Sequence, residues 1–497
     1  MGRGDQALWR QGRLKLSAHY DLILRHATVV DGTRAPRYTA DIAVRGERIA
    51  AIGRLDGARA GTELDASGRI VAPGFIDAHT HDDRLMLSAP EMAPKVSQGV
   101  TTVVAGNCGV SLAPTPRGMP RPVIPPLDLL DDDGGWFRFP SFSAFIEELQ
   151  ARPAATNCAL LVGHTTLRVA TMDELDKPAS PAETARMRSL ADEALLAGAI
   201  GISSGLYYEP ARAATTEEVI AVGAPLAKRN GIYCTHMRDE GEKVIDSLEE
   251  AFRIGRELGV PVVISHHKVA GKPNHGRSRE TLPLIESRMR AQAIGLDCYP
   301  YCASSTILSA SRAAIASKVL VTWSKPHPEC AGMELADAAR KMNASIEEAV
   351  ARLLPAGAVY FSMDEADVRR ILAFEHTMIG SDGLPHDAAP HPRLWGSFPR
   401  VLGHYARGLN LFPLETAVYK MTGLTAKTFG LKDRGVLKKG AWADMVAFDA
   451  ATVDETATFA RPIQPAKGID TVIVNGSIVW RGGKATGARP GRVLRRS

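Results

Sequence analysis

Between Phe75 and Gly383 one texture recurs: a short run that is apolar at almost every position ends in a polar tip, and a stretch of helical length and period follows. Eight runs share it: "FIDAHTHDD", "TTVVAGNCG", "ALLVGHTTLR", "AIGISSGLYYE", "GIYCTHMRDE", "PVVISHHK", "IGLDCYPY" and "TMIGSDG". Continuous apolar runs belong to strands buried on both faces, and the segments between them, such as 181–198 and 243–259, carry the spacing of amphipathic helices. Strands alternating with helices predict an α/β fold with a parallel sheet, and eight such units predict a closed (β/α)8 TIM barrel. The alternative, an open doubly wound sheet, calls for a glycine-rich first turn, and no GxGxxG follows the first run.

The two ends read differently. Residues 20–72 and 432–497 alternate apolar and polar positions between glycine turns, as in "YDLILRHATVVDG" and "GIDTVIVNGSIVWRGG", and predict one small β-sandwich domain made from both chain ends. The catalytic barrel then spans 73–431, with residues 1–19 as an N-terminal extension. Residues 303–373 are too long for one crossover helix; they predict an insertion that could fold over the barrel mouth as a lid.

Composition narrows the function. The 497 residues are 45% hydrophobic and 23% charged, an ordinary globular balance, and a length that favours two cores. A net charge of +5 spread over 60 basic and 55 acidic residues, with "RPGRVLRR" near the C-terminus the only dense basic run, argues against a nucleic-acid groove. No run of eighteen apolar residues suggests a membrane span, and no export signal is recognisable, so a cytoplasmic location is expected. The adhesion-like tripeptide Arg3, Gly4, Asp5 carries no weight, and six cysteines without regular spacing do not suggest a disulfide framework.

Candidate chemistry sits on the polar tips, where a barrel of this kind builds its active site. Residues two apart on a strand share a face, so His79 and His81 point together, His266 groups with Lys268, and His267 points toward the helices. His79, His81, Cys108, His236, His266 and Asp382 therefore ring one rim, and imidazole, thiolate and carboxylate are the donors zinc takes. Cys158, Cys234 and Cys298 read as buried apolar residues, and a metal pair of Cys298 with Cys302 is disfavoured. His164, His386 and His391 are weaker candidates, and Asp82 and Asp83 either orient a ligand imidazole or are solvated loop carboxylates.

These paired histidines, the one-histidine tips, the terminal "SDG" and the split β domain resemble the metal-dependent amidohydrolase superfamily. Within it, "GNCGVSLAP", "SSGLYYEP", "THMRDE", "SHHK" and "IGSDGLPHDAAPHPRLWGSFPRVLGHY" resemble the D-aminoacylase, or N-acyl-D-amino-acid deacylase, family from about residue 20 onward. The resemblance implies a tight zinc site at Cys108, His236 and His266, with Cys108 replacing the bridging lysine of other members, and a weaker metal position at His79 and His81. It implies Asp382 as the catalytic aspartate, with Lys268, Tyr299 and Arg393 facing the substrate carboxylate and one of Tyr207 and Tyr208, assigned to Tyr208, beside them. The implied partner is a small-molecule N-acyl-D-amino acid with a neutral apolar side chain. Cyclic amide hydrolysis and a non-catalytic scaffold are the alternatives.

Overall fold

The computed structural model describes residues 19–497; the tripeptide at 3–5 and all of the N-terminal extension except His19 lie outside the described residues. Each of the eight apolar runs overlaps a strand: β1 (Phe75–Asp77), β2 (Val100–Ala105), β3 (Asn157–Gly163), β4 (Gly201–Gly205), β5 (Ile232–His236), β6 (Val262–Ile264), β7 (Ile294–Cys298) and β8 (Thr377–Ile379). They pair in parallel in chain order. Closure comes from the ends: the Ala78 amide donates to Ile379 O at 3.1 Å, and Thr80 bridges Gly383. The result is a nearly closed eight-stranded α/β barrel.

Alternation within the strands supplies two cores. Ile76, Val104, Leu161, Cys234, Val263 and Met378 fill the barrel interior, while Val103, Leu160, Val162, Ile264 and Ile379 face the helices outside. The two segments with helical spacing are helices Pro181–Ala197, opened by a Ser180–Glu183 capping box, and Val244–Leu258, closed by left-handed Gly259. His267 turns outward as expected, its Nε2 lying 2.9 Å from Thr281 Oγ1.

The terminal strands form a separate nine-stranded sheet. Strand His19–Val29 is its hub, pairing antiparallel with Tyr38–Arg45 and parallel with Arg59–Asp65 and Ile70–Pro73, which in turn meets Met445–Phe448 from the far end of the chain. One face encloses Leu22, Leu24, Ile42, Val44 and Met445 in a core of its own, while Val446, Phe448, Val472 and Val474 join Phe75 in the main core. The last strand, Val493–Leu494, pairs with β3 of the barrel.

Residues 303–373 fold into a three-stranded antiparallel sheet, with Ala356–Phe361 between Ala303–Ile307 and Val319–Ser324, packed on helices around Val321, Leu335, Leu353 and Tyr360. Its first strand borders the barrel mouth: Thr306 Oγ1 lies 3.2 Å from Tyr208 Oη, and Ser305 O accepts from Arg393 at 3.1 Å. No helix among the described residues is long and apolar enough to cross a membrane.

Candidate metal centre

Cys108 is delivered by a sharp loop after β2. Gly106 takes φ +80°, and a side chain there would place its Cβ 2.0 Å from Leu161 O, so the chain crosses β3 closely enough only without one. Cys108 itself has φ +55°, and two other residues of the site, His266 (+36°) and Asp382 (+49°), share this left-handed conformation. Non-glycine residues rarely adopt it, and here three of them turn their side chains to one point. The grouping of His266 with Lys268 holds, although strand alternation is not its cause: β6 ends at Ile264, and the positive φ of His266 swings the ring inward.

The donors converge. Cys108 Sγ lies 3.2 Å from His79 Nε2 and 3.3 Å from His266 Nε2, and His266 Nε2 is 3.0 Å from His236 Nδ1. Asp382 Oδ1 lies 3.2 Å from His81 Nε2 and 3.6 Å from His79 Nε2. Two clusters result, His79/His81/Cys108/Asp382 and Cys108/His236/His266, each with its donor atoms within 4.8 Å of one another, and Cys108 belongs to both.

This donor set fits a cation. Burial drives the His79 imidazole down to about 3 and His236 well below its usual value, so both rings are in the neutral, ligating form. Burial also pushes the Cys108 thiol well above its ordinary range, and only a nearby positive charge could return it to the nucleophilic, ligating thiolate. Neutral nitrogens and a sulfur packed at 3.0–3.3 Å repel unless a proton or a metal ion lies between them.

Carboxylates surround this nest. Burial raises Asp382, but the Arg393 guanidinium, 2.8 Å from Oδ2, and His81 outweigh it and hold the carboxyl well below the usual range. Lys268 Nζ donates to Glu240 Oε1 at 2.6 Å and contacts His266 Nδ1 at 2.7 Å. Burial likewise pushes Asp297 up to about 7, opposed by the His266 ring and by the His266 amide, which donates to Oδ2 at 3.0 Å. Arg393 stacks 4.6 Å and Lys268 5.7 Å from the centre of the Tyr299 ring, whose buried hydroxyl has no partner among the described residues. Tyr208 packs edge-on against His236 at 4.9 Å but spends its hydroxyl on Thr306; Tyr207 stacks on His236 at 5.6 Å and opens into a cavity of about 470 Å³ that Arg312 also lines.

Other candidates separate from the site. His164 Nε2 lies 3.2 Å from Glu218 in a buried cluster with Arg168, and His391 shapes its loop by accepting from the Arg393 amide while contacting Ala303 O. Asp82 and Asp83 are neither solvated nor bonded to an imidazole: Asp82 lies 3.3 Å from Lys95, and Asp83 accepts from the Gly106 amide at 3.1 Å, both fully buried. Lys95, Asp77, Glu240 and Asp297 escaped the sequence reading. Lys95 Nζ joins Asp77 at 2.9 Å and Ser381 Oγ at 2.8 Å, tying the tip of β1 to the turn that carries Asp382. Their only signal is that an acid or a lysine inside an apolar barrel requires a partner.

A sequence model of the amidohydrolase family matches residues 62–378 and 351–480. A D-aminoacylase of Alcaligenes xylosoxydans xylosoxydans is 58% identical over 97% of this chain and 99% of its own. A solved structure of D-aminoacylase, described by the role of its binuclear metal centre, superposes with a TM-score of 0.93 at 56% identity, covering 96% of this chain and 100% of that one. The N-acyl-D-glutamate deacylase of Bordetella bronchiseptica, solved with zinc and a phosphonate mimic of the tetrahedral intermediate, gives 0.92 at 45% identity over the same shares.

Proposed function

The chain belongs to the amidohydrolase family, and on that premise we propose that it is a zinc-dependent N-acyl-D-amino-acid deacylase, cleaving a linear amide to a carboxylate and a free D-amino acid. The observation that carries this reading is the sharing of Cys108 between two donor clusters, one of which contains Asp382. Cys108, His236 and His266 would hold the tight zinc, and His79 and His81 a weaker second metal. Zinc, when bound, supplies Lewis acidity, lowering the pKa of a water to about 7 and polarising the amide carbonyl.

The chain's own groups do the rest. Asp382, ionised at neutral pH, presents Oδ1 beside His79 and His81, where it can take the proton of the attacking water and return it to the departing nitrogen. Arg393 fixes the other oxygen, so the carboxylate cannot rotate away. Arg393, Lys268 and the Tyr299 hydroxyl, unpartnered among the described residues, gather on one side of the site and would hold the substrate carboxylate. With carboxylate and amide both fixed, only one hand of the α-carbon directs its side chain into the remaining cavity; the D hand follows from the relatives.

A neutral apolar side chain is the first expectation, from the resemblance to D-aminoacylase. One observation favours an acidic one: Arg312 donates Nε to Tyr207 Oη at 2.8 Å and has no carboxylate within ion-pair distance among the described residues, while lining the cavity beside Tyr207. Racemic N-acetyl-methionine, with chiral analysis of the products and zinc counted in the same sample, tests the reaction. Release of L-methionine, or turnover of hydantoin in preference to the linear amide, would overturn it.

A further inference from the structure

Strand β7 contributes none of the donor residues, yet its Asp297 stands between the two clusters. The side chain is fully buried. Its Oδ2 accepts the His266 amide at 3.0 Å, bracing the residue whose φ of +36° aims its ring into the site. Its Oδ1 lies 3.6 Å from His79 Nδ1, and neither of these two buried atoms has a hydrogen-bond partner among the described residues. Buried polar atoms are rarely left unpaired, and these face each other across a gap only slightly longer than a hydrogen bond. The gap is kept clear by Gly380 of the turn after β8: a Cβ there would lie 2.6 Å from His79 Cβ and 2.7 Å from Asp297 Oδ2.

We propose that Asp297 is a positioning residue that fixes His79 with its proton on Nδ1 and its Nε2 lone pair toward Cys108, joining one ligand of each metal position through a single carboxylate. The proposal rests on the metal-hydrolase reading. Its consequence is directional. The amide of His266 needs only an acceptor, which an asparagine also supplies, whereas the imidazole of His79 needs an acceptor at Nδ1, where an asparagine amide would donate and drive the proton to Nε2.

The test is zinc binding by the full chain, through competition with a chelator and elemental analysis, in the wild type, Asp297→Asn and His79→Ala. We expect Asp297→Asn to weaken the second, weaker position about 10–100-fold, as His79→Ala does, and to leave the tight position unchanged. Unaltered affinities at both positions overturn the proposal. So does equal weakening of both with a lowered melting temperature of the metal-free variant, which marks a merely structural role, and so does a wild type that takes only one zinc at saturation. Should Asp297→Asn not fold, ¹⁵N-histidine spectra of the zinc-loaded wild type decide: a proton on Nδ1 of His79 supports the proposal, and one on Nε2 overturns it. A wild type that binds no zinc removes the metal-hydrolase reading itself, a distinguishable failure.

Discussion

Lys268 Nζ lies 2.6 Å from Glu240 Oε1, so the ammonium that reads as a free carboxylate anchor is already half of a buried ion pair. Glu240 in turn faces two imidazoles, His266 at 3.1 Å and His236 at 3.8 Å. Replacing Lys268 with methionine would leave that carboxylate buried and unpaired. Lys268→Met is therefore expected to raise KM and also to destabilise the metal-free protein by about 3 kcal/mol. Adding Glu240→Gln should restore the melting temperature while KM stays high. A raised KM with unchanged unfolding would show that Glu240 does not depend on this pair.

Asp382 and Cys108 should separate chemistry from metal binding. Asp382→Asn keeps the volume and removes the proton acceptor; turnover should fall by about 10²–10⁴ with the tight zinc retained. Cys108→Ala removes the atom common to both clusters, and zinc content by elemental analysis should fall at both positions. The opposite pattern would exchange their roles.

Acid stability should depend on a cluster away from the site. Burial raises Glu218, but His164 and Arg168 outweigh it and bring the carboxyl down to about 2 from an ordinary 4.5. A depressed acid contributes stability that is fully present above its unfolded pKa and lost as pH falls through the folded value. Between pH 4.5 and 2 the wild type should therefore lose stability in part through this group. In Glu218→Gln, a less stable protein at neutral pH, that part of the slope should disappear from urea titrations across the window.

Side-chain preference should turn on Arg312. If its guanidinium meets the substrate side chain, Arg312→Leu lowers kcat/KM for N-acetyl-D-glutamate by at least about tenfold, the loss of one charge-assisted contact, and leaves N-acetyl-D-methionine little changed. Equal effects on both substrates would assign Arg312 to the shape of the cavity.

Much of the architecture was legible because it is local. Whether a strand is buried on both faces is written in consecutive residues such as Val103, Val104 and Ala105, and the helices in the apolar spacing of residues 181–198 and 243–259. The same locality brought His79 and His81 together. At His266 the expected grouping with Lys268 holds, but through a left-handed backbone rather than the alternation of a strand; locality failed at Asp82 and Asp83, whose burial depends on what lies across the barrel.

The sequence by itself determined the eight strands of the barrel, which tips carry donors and which family the chain resembles, since each depends on residue type and short spacing. Only the tertiary structure decided which buried polar groups meet: Lys268 with Glu240, Arg393 with Asp382, Asp297 with the His79 ring and the His266 amide. Those partners lie between 11 and 218 residues apart along the chain. A charge buried inside a closed sheet is neutralised by whatever the register brings within about 3–4 Å, and register belongs to the whole barrel rather than to any segment of it.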